Sequence, residues 1–188
     1  MDFSAEMERT LQVLDAAVLV ISGADGVQGH TETLWELLKR HHIPTFLFVN
    51  KMDQPGTDKE TLLKNIHERL SDSCIDFDDR QRDEFFESLA MCEEELLENY
   101  LEAGSVESAD IVRLIGKRKV FPVFFGSALK LDGVEELLDG LADYMEEPAY
   151  DENFGARVFK ISRDDQGNRL THLKVTGGSL KVKDLLTG

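Results

Sequence analysis

An apolar run, Phe46-Leu47-Phe48-Val49, that stops at Asn50-Lys51-Met52-Asp53 constrains this chain more than any other stretch. A short run with no charged side chain predicts a strand buried on both faces, and so a parallel sheet covered by helices. Open α/β sheets of that kind bind ligands beyond the carboxyl ends of their strands. The loop placed there has the residue types a guanine base needs. The Asp53 carboxylate can accept from both guanine N1–H and the exocyclic N2 amine. Adenine offers a donor at neither place, so a site built this way rejects it by roughly 10⁴-fold. Asn50 can donate to N7, and the methylene stem of Lys51 can lie over the ring. A polar turn after a strand yields the same four residues by chance, so the motif alone leaves both readings open.

A second strand-and-loop pair strengthens the guanine reading. Val120-Phe121-Pro122-Val123-Phe124-Phe125 ends in Gly126-Ser127-Ala128-Leu129. In a guanine site this loop offers the backbone N–H of Ala128 to O6, while Ser127 braces Asp53. Helical patterns lie between the two pairs, and strand–helix alternation means a parallel sheet.

The rest of the chain supports that alternation and interrupts it once. Apolar spacing predicts helices over 3–14, 30–42, 58–70 and 133–145, and strands over 16–21, 45–49 and 120–125. The first strand is continuous and branched, as expected where both faces are buried. Residues 71–119 form an insert: an acidic loop over 71–79, one long amphipathic helix over 81–101, and a shorter helix over 105–116. After a linker at 148–153, residues 154–162 and 169–176 alternate in period two as a β-hairpin, followed by a short run over 180–186. The expected domains are 1–148 and 149–188.

Charge sharpens that boundary. The chain has 188 residues and a net charge of −16, yet residues 154–188 hold seven basic residues against three acidic. The acidic excess argues against broad binding to phosphate backbones. Residues 72–110 alone hold fourteen acidic and two basic residues, a face expected to meet solvent or a basic protein. No window approaches eighteen apolar residues, so no membrane partner is expected. Met1-Asp2-Phe3-Ser4-Ala5-Glu6 has no secretion-signal character. Cys74 and Cys92, without metal-type spacing, read as reduced thiols of a cytoplasmic protein. No metal site and no nucleophilic triad can be read from spacing. His41-His42 reads as a helix end, and the acidic pairs lack the pattern of a calcium loop.

Taken in order, Asp2-Phe3-Ser4-Ala5-Glu6-Met7-Glu8-Arg9, Leu14-Asp15, Asp25-Gly26-Val27-Gln28, Asn50-Lys51-Met52-Asp53 and Gly126-Ser127-Ala128 resemble the GTPase domain of translation factors of the elongation factor G class. Gly178-Ser179-Leu180-Lys181-Val182-Lys183-Asp184 is similar to the start of the β-barrel that follows it. Met1-Asp2-Phe3 and the long insert resemble the tetracycline-resistance ribosomal protection branch. The resemblance implies an α/β fold: part of a P-loop-NTPase-like domain followed by the first barrel strands. It implies GTP or GDP with Mg²⁺ in the parent protein, and the ribosome as partner. Asn50, Lys51 and Asp53 would hold the base, with Ser127, Ala128 and Leu129 closing the pocket.

The chain departs from that family in one respect. It holds no Gly-x-x-x-x-Gly-Lys-Ser/Thr loop and no switch-one Thr, and the switch-two Asp-x-x-Gly would fall just before Met1. The expectation is a fragment with no catalytic residue of its own and no tightly bound cofactor, which binds guanine nucleotide weakly. The alternatives are an ordinary elongation or release-type factor, or a non-catalytic interaction module. In the family's strand order the strand carrying the phosphate loop lies beside 16–21. Without it, Ala17–Ile21 is expected to be an open edge prone to self-association, with Val18 and Val20, or else Leu19 and Ile21, losing cover.

Overall fold

The computed structural model describes residues 9–80 and 82–185. Two compact units divide the chain. One is Ala16–Glu146. The other joins the described residues 9–15 to 147–185.

The larger unit is built on four parallel strands, β1 (Ala17–Ser22), β2 (Thr45–Asn50), β3 (Cys74–Asp76) and β4 (Phe121–Phe125), in the order β1-β2-β4-β3. Every residue of β4 and every residue of β2 but Asn50 is buried, as their unbroken apolar composition requires. Alternating side chains feed two cores. Phe46, Phe48 and Phe124 enter one, with Phe77, Leu89 and Leu114 from the insert. Leu47, Val49, Val123 and Phe125 enter the other, under α1 (Gly29–Arg40) and α2 (Lys59–Arg69), which contribute Trp35, Leu62 and Ile66. The remaining helices are α3 (Asp83–Ala90), α4 (Glu94–Ala103), α5 (Ser108–Gly116) and α6 (Val134–Tyr144). Gly140 of α6 lets that helix close on the sheet, because a Cβ there would lie 2.3 Å from the Phe124 ring.

Three expectations are corrected. β1 is not buried on both faces: Leu19 and Ile21 are covered, whereas Val18 and Val20 are 40% and 58% exposed. Among the described residues, β1 is one of the two edge strands of the sheet, and that face is only partly covered. The acidic loop over 71–79 contains β3, which extends the sheet beyond β4 and carries Ile75 and Phe77 into the core. The long helix over 81–101 is two helices, because Glu93 is extended (φ −151°, ψ 131°). Its carboxylate lies 2.6 Å from Arg113 of α5 and 2.5 Å from Lys119 ahead of β4. Those two cations fix Glu93 where a continuous helix could not present it. Helical spacing survives on both sides of the break, so periodicity alone did not reveal it.

The smaller unit contains the expected hairpin, antiparallel β5 (Gly155–Arg163) and β6 (Arg169–Gly177). Asp164 builds the turn, accepting from the backbone N–H groups of Gln166 and Asn168. Lys174 reaches the Val13 carbonyl and pairs with Asp15, so residues 9–15 group with this unit. Residues 180–185 form no strand. Residues 9–11 are helical, and the rest of the helix expected over 3–14 lies mostly outside the described residues.

Candidate guanine-binding site

β2 and β4 are adjacent, so their carboxyl ends bring the two loops of interest together. The ladder continues past the strands. Gly126 N–H donates to Val49 O at 2.9 Å, and Met52 N–H donates to Gly126 O at 3.0 Å. Asn50 Oδ1 accepts from the backbone N–H of Lys51 at 2.8 Å and of Ala128 at 2.9 Å. Two donors on one atom identify it as the oxygen, so the Asn50 amide nitrogen is the end left to donate. Lys51 is in the left-handed region (φ 68°), which costs a non-glycine residue about 1 kcal/mol. Its N–H bond to Asn50 offsets that cost and leaves the side chain exposed.

The second loop is shaped by close backbone approaches. Ser127 N–H donates to Asp132 O at 2.9 Å, and Asp132 N–H returns to Ser127 O at 3.1 Å. A Cβ on Gly126 would sit 2.1 Å from Asp132 O, so only glycine fits. Ser127 is consequently buried, and its hydroxyl donates to the Asp53 carboxylate. Lys130 Nζ lies 3.3 Å from Asp53 Oδ2. The Ser127 hydroxyl first, and Lys130 after it, hold the Asp53 carboxyl below the usual range. Leu129 is 91% exposed at the outer edge of the loop.

The structure thus brings Asn50, Asp53, Ser127 and Ala128 together, with Lys51 and Leu129 exposed beside them. One detail differs from expectation: the Ala128 amide, assigned to guanine O6, is directed at Asn50 Oδ1. The arrangement can present a donor from Asn50 and an ionised acceptor from Asp53, the pair that guanine N7 and N1–H require.

Residues 1–147 match the family model described as the elongation factor Tu GTP binding domain. The chain belongs to that family. Similar relatives are tetracycline resistance proteins. TetW of Butyrivibrio fibrisolvens is 32% identical over 202 residues, covering 98% of this chain and 32% of that protein. TetM from transposon Tn5251 of Streptococcus pneumoniae is 31% identical over 204 residues, covering 98% and 32%. The chain therefore spans about a third of the length of these relatives. A crystal structure of a Thermus thermophilus protein has the same fold, with a TM-score of 0.81, 23% identity, and coverage of 96% of this chain and 35% of that one.

The GTP-binding family implies a guanine nucleotide, and the residues present suit its base. The sequence holds no Gly-x-x-x-x-Gly-Lys-Ser/Thr pattern for its phosphates. Among the described residues no helix is long and apolar enough to cross a membrane.

Three contributors to this candidate site were not foreseen. Lys130 follows Leu129 directly and was legible only as the next residue of the motif. Gly23 donates to Asn50 O at 2.7 Å, and a Cβ there would press on Asn50 O and Met52 Sδ, both at 3.1 Å. Thr57 Oγ1 donates to Met52 O at 2.8 Å and closes the first loop. A glycine in a turn cluster and a threonine before a helix carry no signal for such roles.

Proposed function

We propose that this chain is the base-recognising portion of a ribosome-dependent translational GTPase of the tetracycline-resistance ribosomal protection type. The observation that supports this most is Asn50 Oδ1 held between the Lys51 and Ala128 amides, beside an Asp53 carboxylate braced by Ser127. In this reading Asn50 Nδ2 donates to guanine N7, and Asp53 accepts from N1–H and N2–H. Ala128 N–H is shared between Asn50 Oδ1 and guanine O6. Lys51 and Leu129 cover the ring faces. The chain carries no group that positions the γ-phosphate, and phosphoryl transfer rests on such positioning. By itself it binds guanine weakly and does not hydrolyse GTP. Mg²⁺, the phosphates and the ribosome are partners of the longer protein, which acts in the cytoplasm. The open edge at Ala17–Ile21 leads the chain to self-associate.

The test is a titration of the chain with GMP, AMP and XMP, followed by amide shifts. GMP alone should perturb Lys51–Asp53 and Ser127–Leu129. Equal responses to AMP would overturn the reading.

A further inference from the structure

We infer that Asp78, with Lys59, is a positioning residue for the guanine loops, so that the insert sets the geometry of the base site. This rests on the guanine reading of that site. The two loops begin and end at different elements, and one cluster of charges reaches both. Lys59 is the first residue of α2, where the loop carrying Asn50, Lys51 and Asp53 ends. Phe125 is the last residue of β4, where the loop carrying Ser127 and Ala128 begins. Lys59 Nζ lies 2.7 Å from Asp76 Oδ2 and 2.6 Å from Asp78 Oδ2, and stands 4.7 Å from the centre of the Phe125 ring. The other Asp78 oxygen, Oδ1, accepts the backbone N–H of Phe125 at 3.3 Å.

Phe125 N–H is at the point where β3 stops running alongside β4. Phe77 N–H donates to Val123 O at 2.9 Å, and beyond it the Asp78 side chain takes over as acceptor. Asp78 thereby extends the sheet's hydrogen bonding by one step and delivers the chain to Gly126 in a fixed direction. Gly126 in turn accepts from Met52 N–H, so an error at Phe125 is transmitted to both loops. Burial disfavours the Asp78 charge, and the Lys59 ammonium opposes that effect and keeps the pair together. Asp76 and Asp78 both lie in the insert, whose strand β3 carries no residue of the base site itself.

Asp78→Ala removes the acceptor and the charge. Asp78→Asn keeps the acceptor for Phe125. Lys59→Met removes the cation and leaves two carboxylates to repel. In the full chain, amide exchange of Phe125–Ala128 and of Met52 is followed together with GMP affinity by shift titration. Asp78→Ala and Lys59→Met should speed exchange at those amides and weaken GMP by about twofold to thirtyfold. Exchange at the far end of the sheet, at Ala17, whose N–H donates to Pro44 O, should not change, and Asp78→Asn should restore most of the affinity. Wild-type exchange rates at Phe125–Ala128 and unchanged GMP affinity in both disruptive variants would overturn the inference. If Asp78→Ala does not fold, Lys59→Met decides by the same readouts. If the wild-type chain shows no preference for GMP over AMP, the guanine reading fails and the inference fails with it. If that preference holds while the variants match wild type, the inference alone fails.

Discussion

Lys130 Nζ sits 3.3 Å from Asp53 Oδ2, so the carboxylate assigned to the base also holds a cation from the opposite loop. Ser127 binds the same carboxylate from the buried side. Both favour the ionised form, which is the form that accepts from guanine. Ser127→Ala should therefore raise the Asp53 pKa more than Lys130→Ala does, as read by carbon shifts of the carboxyl through an acid titration. The folded value lies below the unfolded value of about 3.9. The associated stability is thus present above that pH and is lost as pH falls through the folded value. An equal rise in both variants would contradict the ordering.

Base specificity gives a second prediction. Asp53→Asn replaces an acceptor with a donor, so it should abolish the GMP response and create one to XMP. The affinity of the unmodified chain should be ~mM or weaker, because about 20 heavy atoms at roughly −0.3 kcal/mol each give a ceiling near −6 kcal/mol before loop ordering is subtracted. Micromolar binding by calorimetry would contradict that figure. Ribosome-stimulated phosphate release by the purified chain would contradict the absence of hydrolysis.

The open edge gives a third. Val18 and Val20 are the exposed pair and Leu19 and Ile21 the buried one, so the two faces make opposite predictions. Val20→Lys should shift the chain towards monomer without loss of fold. Leu19→Lys should unfold it, because it buries an unpaired ammonium. Sedimentation at about 100 μM and thermal melting separate these outcomes. A strict monomer for the unmodified chain would remove the edge as a site of association.

Glu93 gives a fourth. Hydrogen bonds from Arg113, then Lys119, lower its pKa to about 2. Its unfolded value is about 4.3, so its contribution is complete above that pH and lost between there and about pH 2. Glu93→Gln should melt below wild type at pH 7, and the gap should close as pH falls through that window. A gap that persists at pH 2 would show that the ion pairs are not its source.

Gly126 gives the last. With Asp132 O only 2.1 Å from the position of a new Cβ, Gly126→Ala must move the loop and should cost about 1–3 kcal/mol. The same variant should lose the GMP response, because Met52 and Ala128 are tied to that turn. Denaturant unfolding and the GMP titration measure the two effects. Full stability with full binding would show that the loop yields easily.

The order of elements was legible from the residues alone. Unbroken apolar runs at Phe46–Val49 and Val120–Phe125 read as buried strands, and Leu62 and Ile66 repeat at helical spacing. The placement of the candidate loop side chains was legible for a different reason: Asn50, Asp53 and Ser127 stand at or just beyond strand ends, where local pattern fixes position. β3 was not legible, because Cys74-Ile75-Asp76 is too short and too acidic to read as a strand until β4 offers it a partner. The break at Glu93 was hidden because Arg113 and Lys119, twenty or more residues away, supply the force that makes it.

By itself, then, the sequence determined that β2 and β4 are buried and which residue types stand at their ends, since periodicity and loop chemistry are local. Tertiary structure decided which face of β1 is covered, that Ala128 N–H turns to Asn50, and that Asp78 and Lys59 reach both strand-end loops. Those outcomes depend on distances between segments far apart in the chain, set by packing the two cores and pairing buried charges, and no local pattern encodes them.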